Sequence, residues 1–196
     1  MSVTQYYAAA SLDGYIAEAD DSLDWLLGYE GSFAGEGAEP GPMSDGGSYE
    51  RFYEGVGALV SGSTTYEFVL DHVGESGAWP YLEKPYWVLS SRQLQTPADE
   101  RVQVHVADGA VEDLYEEMIA AAGDRNLWIV GGGNVASQFA EAGLLDEMIV
   151  TVVPVVLGTG KPLFARRLPG GPLRLRATRA YENGMVELTY GLDRGA

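Results

Sequence analysis

"LWIVGGGNVASQFA", residues 127–140, is the stretch on which the fold turns. An apolar run of strand length meets three glycines in succession, and apolar residues at helical spacing come after them. A strand passing through glycine into a helix is how a parallel α/β sheet brings backbone N–H groups to a phosphate. A tight turn would use the same residues, so the rest of the chain must decide.

Strand and helix signals alternate on both sides of it. Val3–Ala10 reads as a buried strand, and Asp13-Gly14 as a turn. Gly28 to Ser48 is glycine-rich without sustained periodicity, which suggests a lid, a binding loop or a locally disordered insertion without a role. "SYERFYEGV" places Tyr49, Phe52, Tyr53 and Val56 at helical spacing behind Ser48 as a cap. Ala58–Val60 reads as a strand leading into a turn and a helix over "SGSTTYEFVLDHV". "PYWVLSSR" and Val102–Val106 read as two further strands, and Ala110–Ala122 as a helix. Downstream, "LDEMIVTVVPVVLG" is a β-branched strand. Leu173–Ala180 and Met185–Leu192 alternate around Asn183-Gly184, a hairpin signal. The expected fold class is α/β: a mostly parallel central sheet flanked by helices, closed by an antiparallel C-terminal hairpin. One domain over residues 1–196 is the expected organisation.

Composition narrows the chemistry. The 196 residues contain no cysteine, so disulfides, thiolate metal sites and cysteine nucleophiles drop out together. The two histidines, His72 and His105, have no ligand-like spacing, and no metal is expected. With 29 acidic against 12 basic side chains the formal charge is −17, which repels nucleic acid. No leader-like segment and no apolar run of spanning length are visible, so a cytoplasmic protein without a membrane partner is expected.

Gly131, Gly133 and Ala136 match the G-x-G-x-x-G/A dinucleotide pattern, which also calls for an acid at the end of the next strand to hold the ribose. That strand, Met148–Val156, ends in "VVPVVLG", and Asp146 and Glu147 stand at its beginning. The Rossmann reading fails there. The chemistry of the glycines survives, and two other strand ends repeat it. Gly62 precedes Ser63, Thr64 and Thr65 at a helix start, and Ser90, Ser91 and Arg92 come directly after a strand. In a parallel sheet all three segments lie on one edge.

In order along the chain, "AAASLDGYIA", "GSTTYE", "WVLSSR", "WIVGGGNVASQF" and "LLDEMIVTVVPVVLGTGKPLF" resemble the dihydrofolate-reductase-like superfamily. The likeness is greatest to the group holding the reductase domain of the bifunctional riboflavin-biosynthesis deaminase/reductase and its stand-alone relatives, and this chain resembles a stand-alone one. The resemblance implies a three-layer fold with NADPH, or NADH in its place, across the C-terminal edge of the sheet. It puts Gly131, Gly132 and Gly133 under pyrophosphate and nicotinamide, Asn134 and Val135 at the start of the phosphate-binding helix, and Val130 among the cofactor-binding residues. Gly62, Ser63, Thr64 and Thr65 match the phosphate segment, and Ser90, Ser91 and Arg92 the adenosine ribose segment. Ala9, Ile16 and Ala17 fall around the nicotinamide, and Trp25 at the end of the active-site loop.

Two departures shape the expectation. Ser63 stands where the family commonly has an arginine for the 2′-phosphate, which leaves NADP against NAD open; Arg92 could take that phosphate in bidentate fashion. Dihydrofolate reductases carry an acid in the helix before "GSTTYE". The nearest candidates, Asp45 and Glu50, are out of register, so dihydrofolate itself is not the expected substrate. Asp45 and Glu50 are nonetheless the candidate proton donors, and Trp25, Tyr49 and Tyr53 the candidate pocket walls. Lys161 is a candidate partner for an anionic group. The expected activity is hydride transfer from NAD(P)H to a small heterocycle of pteridine, flavin or riboflavin-precursor pyrimidine type. The alternatives are a dinucleotide-binding sensor without turnover and an interaction protein that dimerises through its hairpin. A homodimer is implied by the resemblance alone.

Overall fold

The structure is a computed structural model that describes residues 2–29, 41–42, 47–76 and 79–192. Most of the glycine-rich Gly28–Ser48 stretch, with Asp45, lies outside the described residues. The first strand, β1 (Thr4–Ser11), runs near the middle of an eight-stranded sheet. It is flanked by β6 (Asn126–Gly131) and β7 (Glu147–Val153), both parallel to it. Beyond β6 come β3 (Val56–Gly62), β4 (Tyr86–Leu89) and β5 (Val104–Ala107), again parallel. Beyond β7 come β10 (Val186–Gly191), antiparallel to it, and then β9 (Arg174–Ala180) at the edge. The order is thus β5-β4-β3-β6-β1-β7-β10-β9, the mostly parallel sheet with an antiparallel end that the sequence implies.

Helices cover both faces, which is why the central strands are apolar on successive residues. On one face Tyr6, Ala10, Leu127 and Ile129 pack against α4 (Val111–Ala122) and α5 (Gly133–Glu141) through Met118, Val135 and Phe139. On the other, Tyr7, Leu59, Trp128 and Ile149 meet Phe52 of α2 (Ser48–Glu54) and Tyr66 of α3 (Ser63–Ser76). Neighbours in sequence, Tyr6 with Tyr7 and Trp128 with Ile129, serve opposite faces, as the period of two requires.

Three local features differ from the sequence reading. Ser48 does not cap α2 but opens it; Gly47 is the N-cap, and its N–H donates to the Glu50 carboxylate at 3.1 Å. The Ser48 hydroxyl is drawn inward instead, to Tyr181 and Glu187. A second small sheet pairs β2 (Tyr15–Ala17) with β8 (Lys161–Pro162), in stretches too short to show periodicity. A single helical turn, α1 (Asp24–Leu27), carries Trp25. No helix among the described residues is long and apolar enough to cross a membrane.

Candidate functional site

The C-terminal ends of β4, β3, β6 and β1 are consecutive along one sheet edge, so Ser90–Arg92, Gly62–Thr65, Gly131–Gly133 and Ser11 lie side by side there. A register shift between Val60/Ser61 opposite β6 leaves Val130 as the extra residue just before the glycines. Such a bulge bends a strand and re-aims the residues beyond it. Gly131 and Gly132, joined by a cis peptide, then sit against Thr65 and Ile16. A Cβ on Gly131 would come within 3.0 Å of Thr65 Oγ1, and one on Gly132 within 3.8 Å of Ile16 Cδ1. Residues from three separate motifs are brought into one group.

The third glycine has a different task. A Cβ on Gly133 would lie 2.3 Å from the Pro162 carbonyl oxygen and 2.8 Å from that of Leu163. The segment after β8 clasps the start of α5. Ala165 N–H donates to Gly133 O at 3.3 Å, Ser137 Oγ donates to the same oxygen at 2.7 Å, and Tyr6 Oη donates to Leu163 O at 3.2 Å. Gly133 is therefore a packing glycine. Gly131 and Gly132 differ from it, since the nearest atoms to a Cβ on either belong to the side chains of Thr65 and Ile16. The N-terminus of α5 has no side-chain cap, and Asn134 in its first turn is exposed while Val135 is buried against Gly62. Uncapped N–H groups and the helix dipole favour an anion at this edge. α3 begins at Ser63, directly on the last residue of β3, and turns a second helix start towards the same edge.

Directly after β4, Ser90 Oγ accepts from Arg92 N–H at 3.1 Å and shapes the turn, while Ser91 is exposed. The Arg92 guanidinium donates to Glu67 of α3 at 2.7 Å, a pair roughly half exposed on both sides. Arg92 thus reaches across to the helix that begins at Ser63. Lys161 pairs at 3.3 Å with Asp21 in the small-sheet corner.

Near the end of β1, Ala9 and Trp25 pack against Val153, Tyr181 and Met185. Ala17 is buried on β2, and Ile16 packs into the α4/α5 core. Tyr49 and Tyr53 stack with ring centroids 6.0 Å apart, both edge-on to Trp128. They belong to the aromatic layer under α2. Tyr53 also lies beneath Lys84, whose Nζ is 4.5 Å from the ring centroid.

Behind this wall lies a polar network that the sequence did not reveal. Glu187 of β10 is 7% exposed. Its Oε2 accepts from Tyr7 Oη and from Ser48 Oγ, each at 2.8 Å, and Ser48 is also hydrogen-bonded to Tyr181 Oη. Arg179 Nη1 stands 3.6 Å from Oε1. Burial raises the pKa of Tyr7 and Tyr181, so both phenols remain protonated donors at neutral pH. Across the sheet Ala9 is opposite Thr151, Thr151 opposite Glu187, and Glu187 opposite Arg179, one row on one face. In sequence, the alternation of "VELTYG" puts Glu187 on the polar side of an end hairpin, where solvent is the default neighbour. Contacts from Ser48 of α2 and Tyr7 of β1 cover it instead.

Comparison with known proteins agrees with this geometry. The family model described as RibD C-terminal domain matches residues 3–186. The uncharacterised protein YwjB of Bacillus subtilis is 35% identical over 187 residues, spanning 95% of this chain and 96% of its own length. A crystal structure of a putative riboflavin biosynthesis protein from Shewanella sp. PV-4 is 29% identical with a TM-score of 0.76, covering 96% of this chain and 98% of its own. Dihydrofolate reductase from Enterococcus faecalis, solved with NADP(H), shares the fold at 18% identity and a TM-score of 0.57, covering 97% of each chain.

Proposed function

The chain belongs to the RibD C-terminal domain family, and on that footing we propose that it is an NAD(P)H-dependent reductase acting on a small heterocyclic substrate. The observation that carries the reading is the meeting of Thr65, Gly131, Gly132 and Ile16 at one sheet edge, beside two helix starts. Backbone N–H groups at a helix start bind phosphate without a net positive field, which matters in a chain of charge −17. The donor set fits a dinucleotide: glycines that let the backbone approach, hydroxyls at Ser63, Thr64 and Thr65, and an arginine beside the ribose segment.

A bound nicotinamide cofactor would supply the hydride. The chain's own residues do the rest by position. Gly131, Gly132 and Ile16 define a flat, apolar bed; Ala9 and Trp25 wall the neighbouring space; Ser90–Arg92 and Gly62–Thr65 hold the polar end. Holding two reactants in register and excluding water supplies most of the rate such a site can give. The substrate class is that of the family: a pteridine, flavin or riboflavin-precursor pyrimidine.

The test is oxidation of NADPH, monitored optically, across pterins, flavins and aminopyrimidines. Turnover of one class supports the reading. Stoichiometric binding without turnover of any would favour a dinucleotide sensor on the same fold, to which the tie of Glu50 to Gly47 already lends weight.

A further inference from the structure

The two halves of the sheet's C-terminal edge differ in charge. The motifs on β4, β3 and β6 bring Arg92 and two helix starts. The other half is topped by the turn after β1, the small sheet, α1 and the tip of the β9–β10 hairpin, to which Tyr29 Oη ties the end of α1. Met1 to Glu50, which supplies the turn, β2 and α1, contains no lysine or arginine. Asp13, Asp20, Asp21, Asp24 and Glu182 are exposed here, and Glu18 is half-buried. Among the described residues, Lys161 and Arg179 are the cations of this rim, and both are engaged: Lys161 with Asp21 at 3.3 Å, Arg179 with Glu187 at 3.6 Å. Arg51 is exposed on α2, whose Ser48, Tyr49 and Phe52 face the core. Arg174 and Arg176 stand at the far end of β9, level with the start of β7. The start of α2 is filled as well, since the Glu50 carboxylate accepts the Gly47 N–H at 3.1 Å. Between the turn after β2 and the loop before β8, an open cleft of about 370 Å³ is lined by Glu18, Ala19, Asp20, Leu157 and Thr159, again without a cation.

We propose that the substrate carries no phosphate: this half of the edge takes the neutral or cationic form of a heterocycle and rejects its phosphate ester, with Glu18, Asp20, Asp21 and Asp24 as the discriminating residues. The inference deepens the reductase reading and rests on it. A phosphate monoester brings a charge of about −1.5 to −2 at neutral pH and three acceptor oxygens. Those oxygens need an arginine fork, a lysine or an open helix start. Among the described residues of this half, each such group is already taken, so the ester would give up its water without replacement. It would also approach carboxylates of its own sign, and like charges brought together exclude a wrong partner. A dinucleotide along the neighbouring motifs adds its own phosphates to that field. The dinucleotide itself escapes the penalty, because its donors are backbone N–H groups and Arg92 on the other half. The unphosphorylated ring meets neither cost.

The test uses the full chain with saturating NADPH and matched pairs of probes: riboflavin with its 5′-phosphate, 7,8-dihydroneopterin with its 3′-phosphate, and 5-amino-6-ribosylaminouracil with its 5′-phosphate. NADPH oxidation gives kcat/KM for each member. In the pair that is turned over, the unphosphorylated member should be favoured by about tenfold or more. Added salt should raise kcat/KM for the phosphorylated member and leave the other nearly level, because screening relieves the repulsion alone. Asp20→Lys, at an exposed position, should narrow the ratio by about threefold, through a faster reaction of the phosphorylated member. An equal or reversed preference would overturn the proposal, as would a ratio indifferent to salt. Should Asp20→Lys fail to fold, the salt series decides. Should NADPH bind and no member of any pair be reduced, the reductase reading fails, and the inference falls with it.

Discussion

Two polar regions of this molecule are built by opposite means. At the C-terminal edge of the sheet, Gly62–Thr65, Ser90–Arg92 and Gly131–Gly132 offer mainly backbone and small hydroxyls, each set by a strand end. At the row Ala9–Thr151–Glu187–Arg179, side chains from four strands make the polar surface, tied to α2 through Ser48. The first region is built from local sequence. The second exists only after folding.

The division is tested most severely at Gly133, which lies in the glycine triplet but belongs to packing. Gly133→Ala forces a Cβ against the Pro162 carbonyl; overpacking against backbone should cost about 3 kcal/mol. For a chain of this size that is roughly 6–12 °C in melting temperature. Gly132→Ala, whose nearest neighbour would be 3.8 Å away, should melt close to wild type and lose NADPH affinity instead. Calorimetric melting with and without NADPH separates the two. Equal melting temperatures for both variants would erase the distinction.

In the side-chain region Tyr7→Phe removes one of two donors to the buried Glu187 carboxylate. A hydrogen bond to a charged group is worth about 2 kcal/mol, and urea unfolding should read that loss. A change below a few tenths would show Glu187 held chiefly by Arg179.

The aromatic layer of the same face makes stability pH-dependent. Burial, helped by the neighbouring Tyr49 and Glu83 charges, pushes the Tyr53 phenol up to about 12. Tyr7, Tyr81 and Tyr86 are raised as well, chiefly by burial. The folded protein keeps these protons above pH 10 while the unfolded chain releases them, so stability is intact below about 10 and falls as pH rises. Each such tyrosine contributes a slope of up to ~1.4 kcal/mol per pH unit. Urea midpoints between pH 10 and 12 should fall, and Tyr53→Phe should flatten the decline.

The smallest effect belongs to the edge. Arg92 is about half exposed and shared with Glu67, so Arg92→Ala should weaken NADPH by roughly fivefold, ~1 kcal/mol, and leave NADH nearly unchanged. Equal losses in fluorescence titrations would remove Arg92 from the 2′-phosphate.

Legibility in the sequence divides along the same line. "LWIVGGGN" announces strand, glycine turn and helix because each step is encoded within a few residues. The same holds for "SGSTTYE" and "WVLSSR", and parallel pairing alone puts all three on one edge. The antiparallel end is legible in Asn183-Gly184. The task of Gly133 was not, since its neighbours Pro162 and Leu163 come from a distant segment. Nor was Ser48 as a core residue, because a serine before a helical pattern reads as a cap. Glu187 was hidden most deeply: its donors Tyr7 and Ser48 are 180 and 139 residues away along the chain. No spacing rule reaches that far.

Everything proposed for this chain depends on its sheet edge binding a nicotinamide dinucleotide, and a thermal-shift titration with NADPH and NADH tests that directly. A ligand that binds only the folded chain raises its stability with the logarithm of concentration, by about 2.7 kcal/mol at a hundred times Kd. We expect a saturable rise with at least one of the two, abolished in Gly132→Ala. An unchanged melting temperature with both at millimolar concentration would contradict the assignment of this edge to a dinucleotide.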